Sequence, residues 1–203
     1  MTLYYVRCAL GLLLLAAPSP AVKAPETILT AVIIPDADAE YSMAALRGME
    51  HEAAHILNAS GVRMRWRLQG SPEVSDGLLV VVMLHGQCEM DGSTAAFKAG
   101  PLGWSHEANG SVLPFTDLAC DTIRGAVQAA HDGGRNLRDN SLLGRAMGRV
   151  LAHELYHVVA DTSQHGREGV AQAAFTPRDL TAGQLELEAP DVEAVQAGLT
   201  RGR

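Results

Sequence analysis

Ser141-Leu142-Leu143-Gly144-Arg145-Ala146-Met147-Gly148-Arg149-Val150-Leu151-Ala152-His153-Glu154-Leu155-Tyr156-His157-Val158-Val159-Ala160 reads as one long helix. It is apolar around most of its circumference, which predicts burial on nearly every side. His153 and His157 stand at i and i+4, so their side chains leave one face about one turn apart and can both reach a single ion. They share that face with Leu143, Ala146, Val150 and Ala160. Two imidazoles on the apolar side of a buried helix need partners for their ring nitrogens, and a metal serves both at once. Glu154, adjacent in sequence but offset around the helix, can hold a water beside such a metal without being a ligand.

The same pattern occurs a second time, as His51-Glu52-Ala53-Ala54-His55. There the histidines fall opposite the apolar stripe of Leu46, Met49, Ala53 and Ile56, beside Arg47 and Asn58, which predicts a solvated face. The two matches are separated by the polarity of the helix face that carries them.

A third ligand for the His153–His157 pair has several candidates: Asp161, His165, Glu168 and, further on, Glu186 or Glu188. An unbroken helix carries His165 about 12 Å past His157, too far to share an ion, so the helix must end first. Asp161-Thr162-Ser163 is turn-prone and Gly166 follows, so the chain can reverse and bring His165 back. His165 is the choice made here, because neutral imidazole suits zinc and the residue lies just past the break. Asp161 then has the alternative role of orienting a ligating imidazole from outside.

Outward from this helix, Glu26 to Ile34 reads as a first strand, and Asp38 to Asn58 as a helix stopped by Gly61. Val62 to Leu68 alternates as a half-buried strand, and Leu78 to Leu84 is a continuous apolar run suited to a central one. A Gly-rich stretch, Asp91 to Gly103, leads to a hairpin in which Ala108-Asn109-Gly110 separates two short apolar segments. Pro114 within it predicts an edge strand or a bulge. A polar loop, His131 to Asn140, precedes the long helix. Thr176-Pro177-Arg178-Asp179 has the form of a helix start, predicting a C-terminal helix toward Leu187.

The 203 residues, 47% hydrophobic and 19% charged, suit one compact domain. Met1 to Arg7, the apolar run Ala9 to Ala17, and the small-residue patterns Ser19-Pro20-Ala21 and Val22-Lys23-Ala24 read as a secretory signal peptide, residues 1–24, followed by one domain, residues 25–203. The apolar run is too short for a stable membrane anchor, and Cys8 precedes it, where a lipid-modified cleavage site would need it to follow. Cleavage after Ala24 removes Arg7 and Lys23 and moves the formal charge from −7 to −9, which argues against a nucleic-acid partner. It also leaves two cysteines, Cys88 and Cys120, in an oxidising compartment, so one disulfide is expected.

On His153 to Gly166 the sequence resembles the HExxH zinc peptidases, the zincins, and more narrowly the metzincins. The resemblance extends loosely over Glu26 to Ala174. It implies an α+β fold: a mixed sheet of four to five strands with an antiparallel edge strand, a backing helix, a buried active-site helix, and a C-terminal helix after them. Pro101-Leu102-Gly103-Trp104-Ser105 is similar to the edge strand that in that family pairs with an extended substrate. The implied activity is peptide-bond hydrolysis with one zinc on His153, His157 and His165 and Glu154 as general base, acting on peptide or protein substrates in extended conformation. The chain departs from the metzincin pattern in having Ala160 and Ser163 where that family has Gly and the third His, and in having no Met after His157. Of possible oxyanion partners, Tyr156 faces away from the metal side and reads as a packing residue. His106, near the edge strand, reads as a surface histidine.

Overall fold

The structure, a computed structural model, describes residues 26–37, 39–71, 77–93, 100–131 and 138–201. The expected leader, residues 1–24, lies outside these, as do Asp38 and parts of the Gly-rich stretch and the polar loop. The fold is α+β, with a five-stranded mixed sheet in the order β2-β1-β3-β5-β4. Its strands are β1 (Thr27–Pro35), β2 (Val62–Leu68), β3 (Leu78–His85), β4 (Gly103–Ala108) and β5 (Ser111–Ala119). The first three and β5 run parallel, and only the edge strand β4 is antiparallel. Helix α1 (Met43–Asn58) connects β1 to β2, and α2 (Cys120–Ala130) follows β5 directly. The long helix is α3 (Asn140–Ala160), and α4 (Pro177–Thr181) and α5 (Ala189–Thr200) follow it.

Several elements differ from the expectation. Helix α1 begins at Met43, because Ser42, extended at φ −88°, accepts a hydrogen bond from the Ala44 amide and caps it. Helix α2 was not anticipated. Thr176 and Asp179 do form the expected capping box, with Pro177 in the first turn, yet that helix stops at Thr181 and a separate one begins at Ala189. Pro114 lies in β5, an interior strand, so only the bulge half of its expectation survives. The β4–β5 register shifts so that Leu113, Pro114 and Phe115 together face His106, and pairing with β3 starts only at Phe115. A residue without an amide proton therefore costs no ladder bond there. The hairpin turn itself is as read: Asn109 and Gly110 take φ of 54° and 79°, the signs a two-residue primed turn requires.

From Ala146 to Ala160 every residue of α3 is buried. Its near side lies on α1 at backbone distance, and glycines permit this. A Cβ on Gly148 would stand 2.8 Å from the Met49 carbonyl oxygen and 2.6 Å from Glu52 Cβ, and one on Gly144 would collide with the Ala45 carbonyl. Arg149, 1% exposed, is a buried charge with an acceptor for each of its three nitrogens. It donates from Nε to Glu52 Oε1 at 2.8 Å, from Nη1 to the Asp179 carbonyl at 2.5 Å, and from Nη2 to the Gly183 carbonyl. These bonds tie α1 and the α4 region to the centre of α3.

On the opposite face of the sheet, four strand ends are linked side chain to side chain. His85 offers Nδ1 to Asp36 Oδ1 at 3.1 Å and Nε2 to Asp117 Oδ1 at 2.5 Å, and Asp117 Oδ2 meets His106 Nε2 at 2.5 Å. Trp104 stacks on His85, ring centroids 5.6 Å apart. The hydrogen bond to Asp117 holds the His85 pKa above the ordinary imidazole value; partial burial opposes this, and the negative charge of Asp36 adds to it.

Two measurements check this architecture. Cys88 and Cys120 are disulfide-bonded, closing a separation of 32 residues, so replacing both with Ser is expected to lower unfolding free energy by about 3–4 kcal/mol in urea titration. Folded His85 binds its proton more tightly than the unfolded chain does. Its contribution to stability is therefore complete below about pH 6.5 and is lost as pH rises through the raised folded value. NMR titration should place His85 above about 6.5 in the wild type and lower in Asp117→Asn.

Candidate metal centre

His153, Glu154 and His157 are 8%, 5% and 6% exposed, on the face of α3 that looks into a cleft of about 400 Å³. Edge strand β4 bounds one side of the cleft, and the segment containing Ser163, His165 and Phe175 bounds the other. His153 Nδ1 lies 2.8 Å from the Val170 carbonyl oxygen, and His157 Nδ1 lies 2.7 Å from that of Thr162. A carbonyl can only accept, so both rings donate from Nδ1. Burial pushes the His153 pKa down to about 4 and lowers that of His157 as well; the carbonyl contacts only partly offset this. Both rings are therefore neutral at pH 7 and carry their lone pairs on Nε2. Those two Nε2 atoms stand 3.1 Å apart. Neither has a proton to give the other, so the pair is two acceptors in contact inside the protein, an arrangement that a cation between them relieves.

Helix α3 ends where the third imidazole requires it to. Asp161 takes the left-handed conformation at φ 52°, and its amide returns to the His157 carbonyl. The chain then turns back, so that the His165 ring centroid lies 5.3 Å from that of His153 and 4.8 Å from that of His157. Ligand nitrogens of all three residues lie within 4.8 Å of one another. Tetrahedral zinc with bonds of about 2.0–2.1 Å sets its nitrogens about 3.3 Å apart, so the His153–His157 pair already has ligand spacing and His165, on an exposed turn, needs a small approach.

The other candidates for third ligand are placed elsewhere. Asp161 Oδ1 accepts the Val112 amide at 2.8 Å and so joins the end of α3 to the hairpin. The Nδ1 atoms of His153 and His157 are oriented by the Val170 and Thr162 carbonyls. Glu168 and Glu188 line a different cavity behind Tyr156, and Glu186 lines the one beside His51. His51 and His55 are exposed, and Glu52 between them serves Arg149. Tyr156 is buried, its ring 5.2 Å from that of His157. His106 is held by Asp117 on the outer sheet face and does not line the cleft.

Glu154 has a partner that the sequence did not reveal. Ser105 of β4 places its hydroxyl 2.8 Å from Glu154 Oε2. Burial raises the Glu154 pKa to about 7, the Ser105 bond works against this, and the charge of Asp117 adds to it. Phe175 packs its ring edge-on against His153, centroids 5.5 Å apart, another contact between distant segments. No model of a known protein family matches the chain, and no characterised protein matches it in sequence.

The geometry predicts metal content directly. Purified protein loaded with zinc and desalted is expected to hold about one ion per chain. His153→Ala should lose it, His165→Ala should bind more weakly, and His51→Ala should match the wild type, as read by elemental analysis.

Proposed function

We propose that the chain is an exported zinc-dependent metallopeptidase of zincin type, hydrolysing extended peptides in the cleft between β4 and the His165 turn. The observation that carries this reading is the pair of unprotonated Nε2 atoms 3.1 Å apart, with His165 closing on them and a buried carboxylate of raised pKa on the next residue of the helix. The donor set fits zinc: three imidazoles, two of them oriented by backbone carbonyls. When bound, zinc supplies a Lewis acid and lowers the pKa of a water toward about 7.

The chain's own residues do the remainder. Glu154, with its pKa near 7, can take a proton from the attacking water near neutral pH and return it to the leaving amine. Among the described residues, strand β4 has a neighbour on one side only, β5, so its other side offers the cleft main-chain groups that an extended peptide can pair with irrespective of sequence. The Cys88–Cys120 disulfide supports an exported protein. The turn that brings back the third histidine also has a reason to differ from the metzincin spacing. Here the left-handed residue is Asp161, four after His157, with its carboxylate bonded to the hairpin. A histidine two places later than in that family is then the one that returns.

Glu154→Gln is the deciding variant. It should keep the wild-type zinc content and lose turnover of a peptide library by about 10²–10⁴-fold, measured by mass spectrometry of the products. Undiminished hydrolysis in this variant would exclude Glu154 as the base, and a zinc-loaded wild type that cleaves nothing would leave a zinc-binding module.

A further inference from the structure

Strand β4 meets helix α3 at Gly103 and at Ser105, two residues further along the cleft face of the strand. At Gly103 a Cβ would stand 2.9 Å from the Asp117 carbonyl oxygen, 2.9 Å from Val150 Cγ1 and 3.1 Å from Glu154 Cγ. The strand backbone therefore lies directly on the side chain of Glu154, with no room for a methyl group. Ser105, next on the same face, is set by this approach so that its hydroxyl lies 2.8 Å from Glu154 Oε2 and 3.2 Å from the Glu154 backbone carbonyl. A hydroxyl has one proton to give, and the shorter bond goes to the side-chain oxygen. The strand is itself fixed at this point, because Thr116 of β5 donates its hydroxyl to the Trp104 carbonyl at 3.0 Å.

We propose that Gly103 and Ser105 are positioning residues for the general base: Gly103 lets the edge strand close on α3, and Ser105 engages Oε2 of Glu154 so that Oε1 is the oxygen left to receive the proton of the attacking water. This rests on the peptidase reading above. A glutamate has three rotatable bonds, and a base held in one of its rotamers loses no rate to searching the others. Ser105 acts through Glu154 and exchanges nothing with substrate, so its removal should lower kcat and leave KM and zinc content as they are. The same strand that receives the peptide therefore also aims the base, which links substrate register to proton transfer in one element.

Ser105→Ala removes the hydroxyl with almost no change of volume, and Ser105→Thr restores it on a side chain suited to a strand. Gly103→Ala meets backbone and is less informative, because it can disturb the sheet. The first readout uses metal-free protein with ¹³C-labelled glutamate carboxyls, in which Glu154 is assigned by its absence in Glu154→Gln. Its carboxyl resonance should move in Ser105→Ala and return in Ser105→Thr. The second is peptide hydrolysis by the zinc-loaded forms: kcat should fall by about tenfold to a hundredfold in Ser105→Ala, with KM and zinc stoichiometry unchanged, and recover in Ser105→Thr. An unmoved Glu154 resonance, or an unchanged kcat in Ser105→Ala, overturns the proposal. Absence of hydrolysis by the zinc-loaded wild type defeats the peptidase reading instead, and the resonance still decides whether Ser105 holds the carboxylate.

Discussion

A helix buried on every side imposes the conditions that the rest of this structure meets. Helix α3 has no solvent face between Ala146 and Ala160, so every polar group on it must find its partner inside the protein. Arg149 is answered by Glu52 and two carbonyls, Glu154 by Ser105, and the Nδ1 atoms of His153 and His157 by Val170 and Thr162. Close approach to α1 demands glycine at 144 and 148. The two Nε2 atoms, by contrast, face each other at 3.1 Å. They are two acceptors in contact, held in place by the same burial that makes them neutral.

Two acceptors in contact cost stability, and bonds elsewhere fasten the helix that carries them. The disulfide pins the start of α2 near the end of β3, and the Arg149 bonds reach α1 and the α4 region. Only His165 of the three imidazoles lies on an exposed turn. Two of the imidazoles are fixed through Nδ1 by backbone carbonyls, and the third is the exposed one.

Periodicity and local turn chemistry were legible in the sequence, and pairings between distant segments were not. Strand β2 was read at its observed bounds, and β1, β3 and the Asn109-Gly110 turn within a residue or so, because alternation and a primed turn are local signals. Helix α2 was missed because Ala119, at its start, supplies no side-chain cap, and the helix grows straight out of a strand. Helix α5 was missed for the same reason at Glu188, although Pro190 in its first turn was the available signal. At the site, the i, i+4 histidines and Glu154 were readable from helix geometry, and His165 from the break after Ala160. The Ser105–Glu154 contact spans 49 residues, and the Val170 and Thr162 ligand-orienting groups are backbone carbonyls whose residue types carry no mark of the role.

The two HExxH strings in one chain separate pattern from chemistry. Both put two imidazoles a turn apart and a glutamate between them, so spacing cannot distinguish them. On α1 the histidines meet water, which can hydrate each ring nitrogen separately, and the glutamate is spent on a buried arginine. On α3 water is excluded, the outer nitrogens are committed to carbonyls, and the inner ones face each other. Desolvation is the difference that acts: it lowers the pKa values of the α3 histidines and raises that of Glu154. The burial pattern of the carrying helix, readable from its flanking residues, is therefore what sets the two strings apart.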